Sequence, residues 1–512
     1  MLKMQFKRLV NEYNNNRQVY RILFLIFCLS IFLRTFRLGD LLGFYYDQGR
    51  DALVIWDLWH KGKLFLIGPT TGLAGIFLGP LFYYLIAPFY LIGFGNPVFP
   101  AVFLGVLSSL SVPLLYYLGK QIVNRETGII AAFIGGFSRD LVIAGRWLSN
   151  PTPLLFVGLL VFLAMWKILN KKEKFWWPIL FLLIGISLQF EAASAVFYIP
   201  AVFVFTAWVI RKGKSEKLLP DRKNLIIGSL LFVLTLLPQI VFNFKHQNIL
   251  LNNFIATFFK KVSFTINFWE VADLRLKFYW NMYFAKIYPQ NQLLALIFLI
   301  ISIVGLIKLF NTLKRNNDLI LLIIFVFTPL VCLFFFQGNE GNIYDYYTTG
   351  IYNAMILLFA VGLGGVYIHT SKVLVFLFAV LFLVLNIRPL YGYLFSHVSE
   401  GTSIILANQK LAVDWVFADV NQTTTFNVDV YVPPVIPYTY DYLFLWRGTS
   451  KCGETLCGLD KVNQVKNLYT LYELDPPHPE RLEAWLLRQD GIGKVLYEKQ
   501  YGGVIVQRRE RL

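Results

Sequence analysis

Charge is scarce in this chain. Asp, Glu, Lys and Arg make up only 15% of its 512 residues, while 57% are hydrophobic and 48 are phenylalanine. Soluble domains carry about 25% charged residues, so a soluble globular fold is excluded at the outset. The mean hydropathy of +0.57 points the same way. Nucleotide-phosphate signatures are missing too: there is no Walker loop, Rossmann glycine fingerprint, His-Glu-x-x-His or Gly-x-Ser-x-Gly. An ATP-driven pump is thereby set aside. Gly72-Leu-Ala-Gly75 and Gly362-Leu-Gly-Gly365 read as turn or packing elements. Acidic residues and histidines do not recur along the apolar runs, which leaves a proton relay without support. Arg139-Asp140 is the exception, and its opposite adjacent charges read as a self-contained pair. No repeat of 20–50 residues and no low-complexity linker is present.

Cysteine is sparse, and the four present divide by context. Cys28 and Cys332 sit in apolar runs as packing residues. Cys452 and Cys457 lie in a polar stretch with no further Cys or His pair nearby, so they are a disulfide candidate rather than a metal site. A cleavable signal peptide is also not evident. The residues before the first apolar run are polar and basic, and no small-residue cleavage site follows it. That run is expected to stay as an anchor, with the N-terminus in the cytoplasm.

What is there is a series of apolar runs long enough to cross a bilayer core of about 30 Å. They fall near residues 19–36, 98–119, 127–145, 152–169, 176–190, 194–210, 224–243, 292–310, 318–336, 349–368 and 372–390. The fold class is therefore a polytopic α-helical membrane protein of about eleven transmembrane helices, within a range of ten to thirteen. A shorter apolar stretch at 79–94, broken by Pro88, is read as interfacial. That choice puts Lys120, Arg125, Lys167, Lys171, Lys172 and Lys174 in cytoplasmic loops. Arg211, Lys212, Lys214, Lys217, Arg222, Lys223, Lys308, Lys314, Arg315 and Lys372 follow on the same side. Dense, short, basic inner loops are what the positive-inside rule expects, and they account for the net charge of +17 without nucleic acid.

The same topology gathers the other polar residues near the membrane on the outer side. Phe44-Tyr-Tyr-Asp-Gln-Gly-Arg-Asp51 follows the first span, and a helix over 46–60 places Asp47, Arg50 and Asp51 on one face. Leu53, Ile55, Trp56 and Trp59 would suit a helix lying in the interface. Arg146 and Asn150 end the third span. Gln189 and Glu191 occupy an apolar turn, Lys245 and His246 follow a span, and Tyr344-Asp-Tyr346-Tyr347 precedes another. Each alone is an ordinary loop or snorkelling residue. Together, on one side of a chain this poor in charge, they mark a site. The residues from 395 onward lose the apolar runs. They read as a small α+β domain, with helices at 404–418 and 479–489 and strands at 427–432, 468–474 and 503–507. Domain limits are thus 1–394 for the membrane part and 395–512 for the extracytoplasmic part. Asn421-Gln-Thr423 is a glycosylation sequon. An amphipathic piece is expected near 268–280, within a long outer loop at 244–291.

A carboxylate beside cations at the membrane surface suits displacement at a sugar carbon joined to a lipid phosphate. The carboxylate takes a proton from the attacking hydroxyl, and the cations neutralise the departing phosphate. At this point the order of motifs resembles the membrane glycosyltransferases of the GT-C fold, family 39, which includes protein O-mannosyltransferases and the lipid A aminoarabinose transferase. The resemblance rests on Asp47-Gln-Gly-Arg50-Asp51, Gly68-Pro-Thr70, Gly79-Pro-Leu-Phe-Tyr-Tyr84 and Arg146…Asn150-Pro151. It continues through Gln189-Phe-Glu191, Phe242-Asn-Phe-Lys-His246 and Tyr344-Asp-Tyr-Tyr347, over about residues 15–395.

The resemblance implies an inverting transfer of a monosaccharide from a polyprenyl-phosphate carrier to a lipid, glycan or protein hydroxyl. The place would be the outer face of the cytoplasmic membrane. Asp47 matches the family's catalytic carboxylate, and Arg50 its partner. Asp51, Arg146, Asn150, Gln189, Glu191, Lys245, His246, Tyr344, Tyr346 and Tyr347 are expected to bind substrate. Two departures stand out. Asn150 occupies a position that is often acidic, and no lysine stands next to Pro80, which leaves Glu191 as the candidate second carboxylate. No cofactor is implied, and an isolated carboxylate among cations suits Mg²⁺ or Mn²⁺ poorly. A lipid-linked-glycan flippase and a non-catalytic scaffold are the competing classes.

Overall fold

The computed structural model describes residues 16–72, 75–213, 218–256, 267–312, 317–336, 342–398, 401–420, 425–433 and 436–512. The sequon at 421–423 and the basic residues Lys214, Lys217, Lys314 and Arg315 lie outside these. The chain begins with α1 (Arg17–Thr35), α2 (Tyr46–Lys61) and α3 (Leu81–Ile92), then α4 (Val98–Ser109), α5 (Ser111–Ile122), α6 (Arg125–Phe137) and α7 (Arg139–Arg146). It continues with α8 (Leu154–Lys171), α9 (Trp176–Phe190), α10 (Tyr198–Arg211), α11 (Arg222–Lys245), α12 (Phe268–Ile287), α13 (Gln292–Thr312) and α14 (Asn317–Phe335). The last membrane helices are α15 (Tyr352–His369) and α16 (Lys372–Leu394).

Nine stretches among the described residues are long and apolar enough to cross a membrane. The pair α6–α7, bent by 57°, makes a tenth. With the shorter α9, these coincide with all eleven apolar runs. Helix α3 does not join them. At 12 residues and about 1.5 Å per residue it falls well short of a bilayer. Its flanks also meet the same end of the bundle: Gly79 packs on Gln189 at the end of α9, and Phe94 accepts a hydrogen bond from Trp446 of the C-terminal domain.

The bend in α6–α7 has a visible cause. Ser138 leaves helical geometry, which frees carbonyls at the end of α6 inside the apolar layer. A freed carbonyl there needs a donor. Arg34 of α1 supplies it, with Nη2 donating to Gly135 O at 2.9 Å and Nη1 to Gly136 O at 3.2 Å. Arg34 is 1% exposed. Elsewhere the bundle closes through small residues. A methyl at Gly305 would run into the backbone of Gly362, so α13 and α15 meet backbone to backbone.

Hydrogen bonds also tie the loops at the basic end of the bundle. Arg125 donates to Asn16, Asn170 to Asp318, Trp177 to the backbone of Leu218, and Lys308 to Thr370. The polar residues of interest lie at the opposite end, as the alternation of the spans requires.

Arg139 and Asp140 do not pair with each other. Asp140 instead meets Lys286 of α12 at 2.8 Å. Lys286 is 2% exposed, stands 3.9 Å from Asp345, and lies 3.7 Å from the centre of the Tyr352 ring. One buried ammonium thus joins α7, α12 and the 3₁₀ turn Asp345–Ile351. Lys286→Met should lower the thermal unfolding midpoint in nanodiscs, at a cost of about 2 kcal/mol, because Asp140 loses its charged partner.

The C-terminal part comprises α17 (Leu406–Asp419), β1 (Asn427–Tyr431), α18 (Tyr438–Cys452), β2 (Asn467–Glu473), α19 (Pro479–Asp490), β3 (Gly493–Tyr501) and β4 (Val504–Arg511). Strand order is β1-β2-β4-β3, with β1 and β2 parallel and the other two pairs antiparallel. Helix α18 and strand β3 were not expected from periodicity. Helix α18 ends in a disulfide between Cys452 and Cys457. Its apolar residues Tyr442 and Phe444 share one buried cluster with Phe44, Ala52, Ile55 and Phe82. This core therefore continues from the first loop into the C-terminal domain.

Candidate active site

Helix α2 begins where the sequence signals it. Gln48 reaches back to accept the Tyr45 N–H at 3.0 Å, and Gly62 ends the helix in a left-handed conformation. The C-terminal domain holds this helix from behind. Gly49 packs against the backbone of Thr439 so closely that a methyl would clash, and Gln409 donates to Phe44 O at 3.0 Å. What α2 presents is therefore fixed by the C-terminal part as well as by its own loop.

On its open face Arg50 is clamped. Nε and Nη2 donate to Asp51 Oδ1 at 3.0 and 2.7 Å, and Nη1 meets Asp47 Oδ1 at 2.8 Å and Thr70 Oγ1 at 3.0 Å. Asp51 is buried and also accepts the Tyr83 hydroxyl at 3.1 Å. Burial pushes its carboxyl up to about 6 against the pull of Arg50, which leaves it ionised at neutral pH. Burial works against the Arg50 charge, yet Asp51, Tyr83 and Asp47 outweigh it and hold the guanidinium pKa above its ordinary value. Asp47, with 63% of its side chain exposed, is the accessible acid.

Asp47 and Arg50 line a cavity of about 250 Å³ together with Thr70, Trp147, Asn150, Glu191, Tyr346 and Tyr347. Asn150 Nδ2 donates to Glu191 Oε2 at 3.1 Å, and Glu191 Oε1 accepts the Ala193 N–H at 3.1 Å. Burial pushes Glu191 up to about 7. A second cavity of about 420 Å³ adjoins through Arg50 and Thr70, and its walls are mainly apolar, with Val54, Leu64, Phe65, Phe77 and Phe242.

Six expected substrate residues do not line the cavity, each for a physical reason. Arg146 is turned away: Nη1 donates to Leu33 O at 2.8 Å at the end of α1, and its guanidinium lies over the Tyr393 ring. The adjacent Trp147 lines the cavity in its place. Gln189 is a buried structural amide, donating to Gln239, which in turn donates to Phe77 O. Lys245 and His246 are exposed at the end of α11, where His246 stacks on Phe242 at 4.0 Å. Tyr344 stays outside, stacked on Tyr346 at 5.6 Å. Asp51 lies behind the cavity wall and orients Arg50. Sequence reasoning missed Tyr83 and Thr70 as site residues, although both lie inside quoted motifs. Phe254 and Phe336 carried no signal. Among the described residues no three His, Cys, Asp or Glu side chains come together as a metal site.

This arrangement has counterparts. ArnT from Cupriavidus metallidurans, in a crystal structure bound to undecaprenyl phosphate, superposes with a TM-score of 0.59 at 11% identity, over 97% of this chain and 98% of that one. Its apo structure gives 0.62 at 8% identity, with the same coverage. The chain has the GT-C fold. The GT-C oligosaccharyltransferase of Archaeoglobus fulgidus, in a complex with Zn and sulfate, superposes with a TM-score of 0.51 at 11% identity, covering 94% of this chain and 73% of that one. Residues 78–242 match the dolichyl-phosphate-mannose-protein mannosyltransferase family. No curated protein matches the chain in sequence. The cavity sits at one end of the bundle. It is built from the loops that follow odd-numbered spans, and α2 and α3 lie across it.

Proposed function

We propose that this chain is an inverting glycosyltransferase that moves a monosaccharide from a polyprenyl-phosphate carrier to a hydroxyl acceptor. It acts at the outer face of the cytoplasmic membrane. The observation that carries the reading is the accessible Asp47 carboxylate beside Arg50, a cation clamped by buried Asp51, in a cavity at the site end of a GT-C bundle. In the reaction the acceptor oxygen attacks the anomeric carbon as its proton passes to Asp47. The bond from that carbon to the phosphate oxygen breaks, its electron pair stays on the phosphate, and configuration inverts.

The Asp47–Arg50 pair has to open as the donor arrives. Arg50 Nη1 exchanges the carboxylate for phosphate, while Nε and Nη2 stay on Asp51. That exchange frees Asp47 to act as base and aims a preorganised cation at the developing charge. The adjoining apolar cavity suits prenyl units leading from the phosphate. The inner placement of the basic end and the outer placement of the cavity follow the positive-inside rule.

Glu191 makes the donor affinity pH-dependent. Its carboxyl ionises near 7, and a second negative charge in the cavity opposes the incoming phosphate. The donor KM should rise between pH 6 and 8, and Glu191→Gln should flatten that rise. Initial rates over a donor titration at several pH values measure it.

The reading itself is tested with purified protein in nanodiscs and a panel of polyprenyl-phosphate monosaccharides. One donor should yield product of opposite anomeric configuration by NMR. The same lipid-linked sugar should accumulate in a deletion strain. No transfer from any of these donors, or retained configuration, would overturn it.

A further inference from the structure

A cavity of about 530 Å³ lies in the C-terminal domain, apart from the transfer site, between β1, the first turn of α18 and the turn at 459–463. Its walls are mixed in character. Asp429, Asp441 and Asp460 contribute carboxylates, while Lys461 and Arg511 contribute cations that are already engaged. Lys461 Nζ lies 3.3 Å from Asp441, and Arg511 donates to Val465 O and Asn427 Oδ1, each at 3.2 Å.

The base of the cavity includes Gln489, a fully buried residue at the end of α19. Its Nε2 donates to Asp429 Oδ2, but its Oε1 has no hydrogen-bond partner among the described residues. A buried carbonyl oxygen left unpaired costs about 1–3 kcal/mol. An entering hydroxyl would repay that. Strand β1 is also an edge of the sheet. Phe426 exchanges hydrogen bonds with Gly458 and Asp460 there, which closes one end of the cavity.

We propose that this cavity binds a saccharide. Three carboxylates against two occupied cations disfavour a phosphate or another anion. The polar walls disfavour a lipid tail, and the carboxylates do not gather as a metal-ligand cluster. What remains is a neutral ligand rich in hydroxyls, able to donate to Asp429 and Gln489 Oε1 together, while Asp460 already accepts from Val462 N, Asn463 N and Asn463 Nδ2.

The placement gives such a ligand a role. Pro437, Tyr440 and Asp441 face this cavity, whereas Tyr438 packs on Tyr46 at 5.0 Å and Thr439 on Gly49. One turn of α18 therefore stands between the saccharide and the helix that carries Asp47. That the saccharide belongs to the acceptor rests on the proposed glycosyl transfer; its binding does not.

The test uses saturation-transfer NMR on the full chain in nanodiscs, without sugar-headed detergents. The probes are methyl glycosides and disaccharides of several neutral sugars, an extended tripeptide and inorganic phosphate. At least one saccharide should bind wild type and Asp47→Asn alike. Its affinity should weaken about tenfold in Asp429→Asn and in Gln489→Leu, the loss of one hydrogen bond. Asp429→Asn preserves shape, so it decides the matter if Gln489→Leu does not fold. Three outcomes would overturn the proposal: no saccharide bound, binding indifferent to both domain variants, or binding of the tripeptide alone at the β1 edge. An absence of transfer from every polyprenyl-phosphate sugar would count against the transfer reading and leave this one standing.

Discussion

Asp47→Asn should lower the transfer rate at saturating donor by about a thousandfold, in the range that a positioned general base contributes. Its stability and amount in the membrane should stay as in wild type. Both halves of this expectation come from exposure. The Asp47 side chain is 63% exposed, and an exposed ion pair is worth about 0–1 kcal/mol, so losing its charge barely affects folding. The same exposure leaves the carboxylate facing the cavity, where an acceptor proton has to go. The variant should also bind donor at least as well, because Arg50 Nη1 no longer has a carboxylate to leave. A single-turnover rate, a donor titration and a thermal unfolding curve together check the claim. If the rate survives, Asp47 is not the base, and Glu191 becomes the next carboxylate to replace.

Arg50→Lys should cut kcat/KM by about a hundredfold although it keeps the charge. Arg50 holds Asp51 through two nitrogens and offers a third to the cavity. A lysine ammonium is a single point and cannot satisfy that fork. Arg50→Met should go further and lose stability by about 3–5 kcal/mol, since Asp51, 4% exposed, would be buried without its cation. The double variant Arg50→Met/Asp51→Asn separates the two effects. Stability should return, because the uncompensated charge is gone, and activity should not, because the phosphate still lacks its cation. Recovery of activity in the double variant would show that Arg50 serves only to neutralise Asp51.

Much of the architecture was legible because the bilayer imposes one strong rule on sequence. A run of apolar residues long enough to cross has few alternatives to a helix, so the eleven runs near 19–390 coincide with helices or helix pairs. Basic loops then settle which ends of the helices belong together. Helix α2 was expected over 46–60, but Ile55, expected on a face in the membrane interface, is instead buried in the cluster shared with Tyr442 and Phe444. Helix α18 was hidden because its aromatic and polar residues have no clear period of their own. It is helical because it packs on α2.

The site was legible only in part, and the division is physical. Sequence order determined which residues lie at the site end of the bundle, because each crossing reverses direction. It could not determine where a side chain points once there. Arg146 turns to the open carbonyl at the end of α1, and Gln189 is consumed by Gln239. Lys245 and His246 stay out along α11. Each outcome depends on a partner distant in the chain, and the preference for satisfying a buried polar group overrides position in the sequence. By the same logic Tyr83 and Thr70 enter the site only because α3 and the loop before it fold back over α2. The sequence by itself therefore determined a membrane bundle, its two unlike ends, and Asp47 and Arg50 one helical turn apart. Only the tertiary structure decided that Asp51 is buried behind them, since that required α3 and Tyr83 to close over a charge that Arg50 alone could not shield.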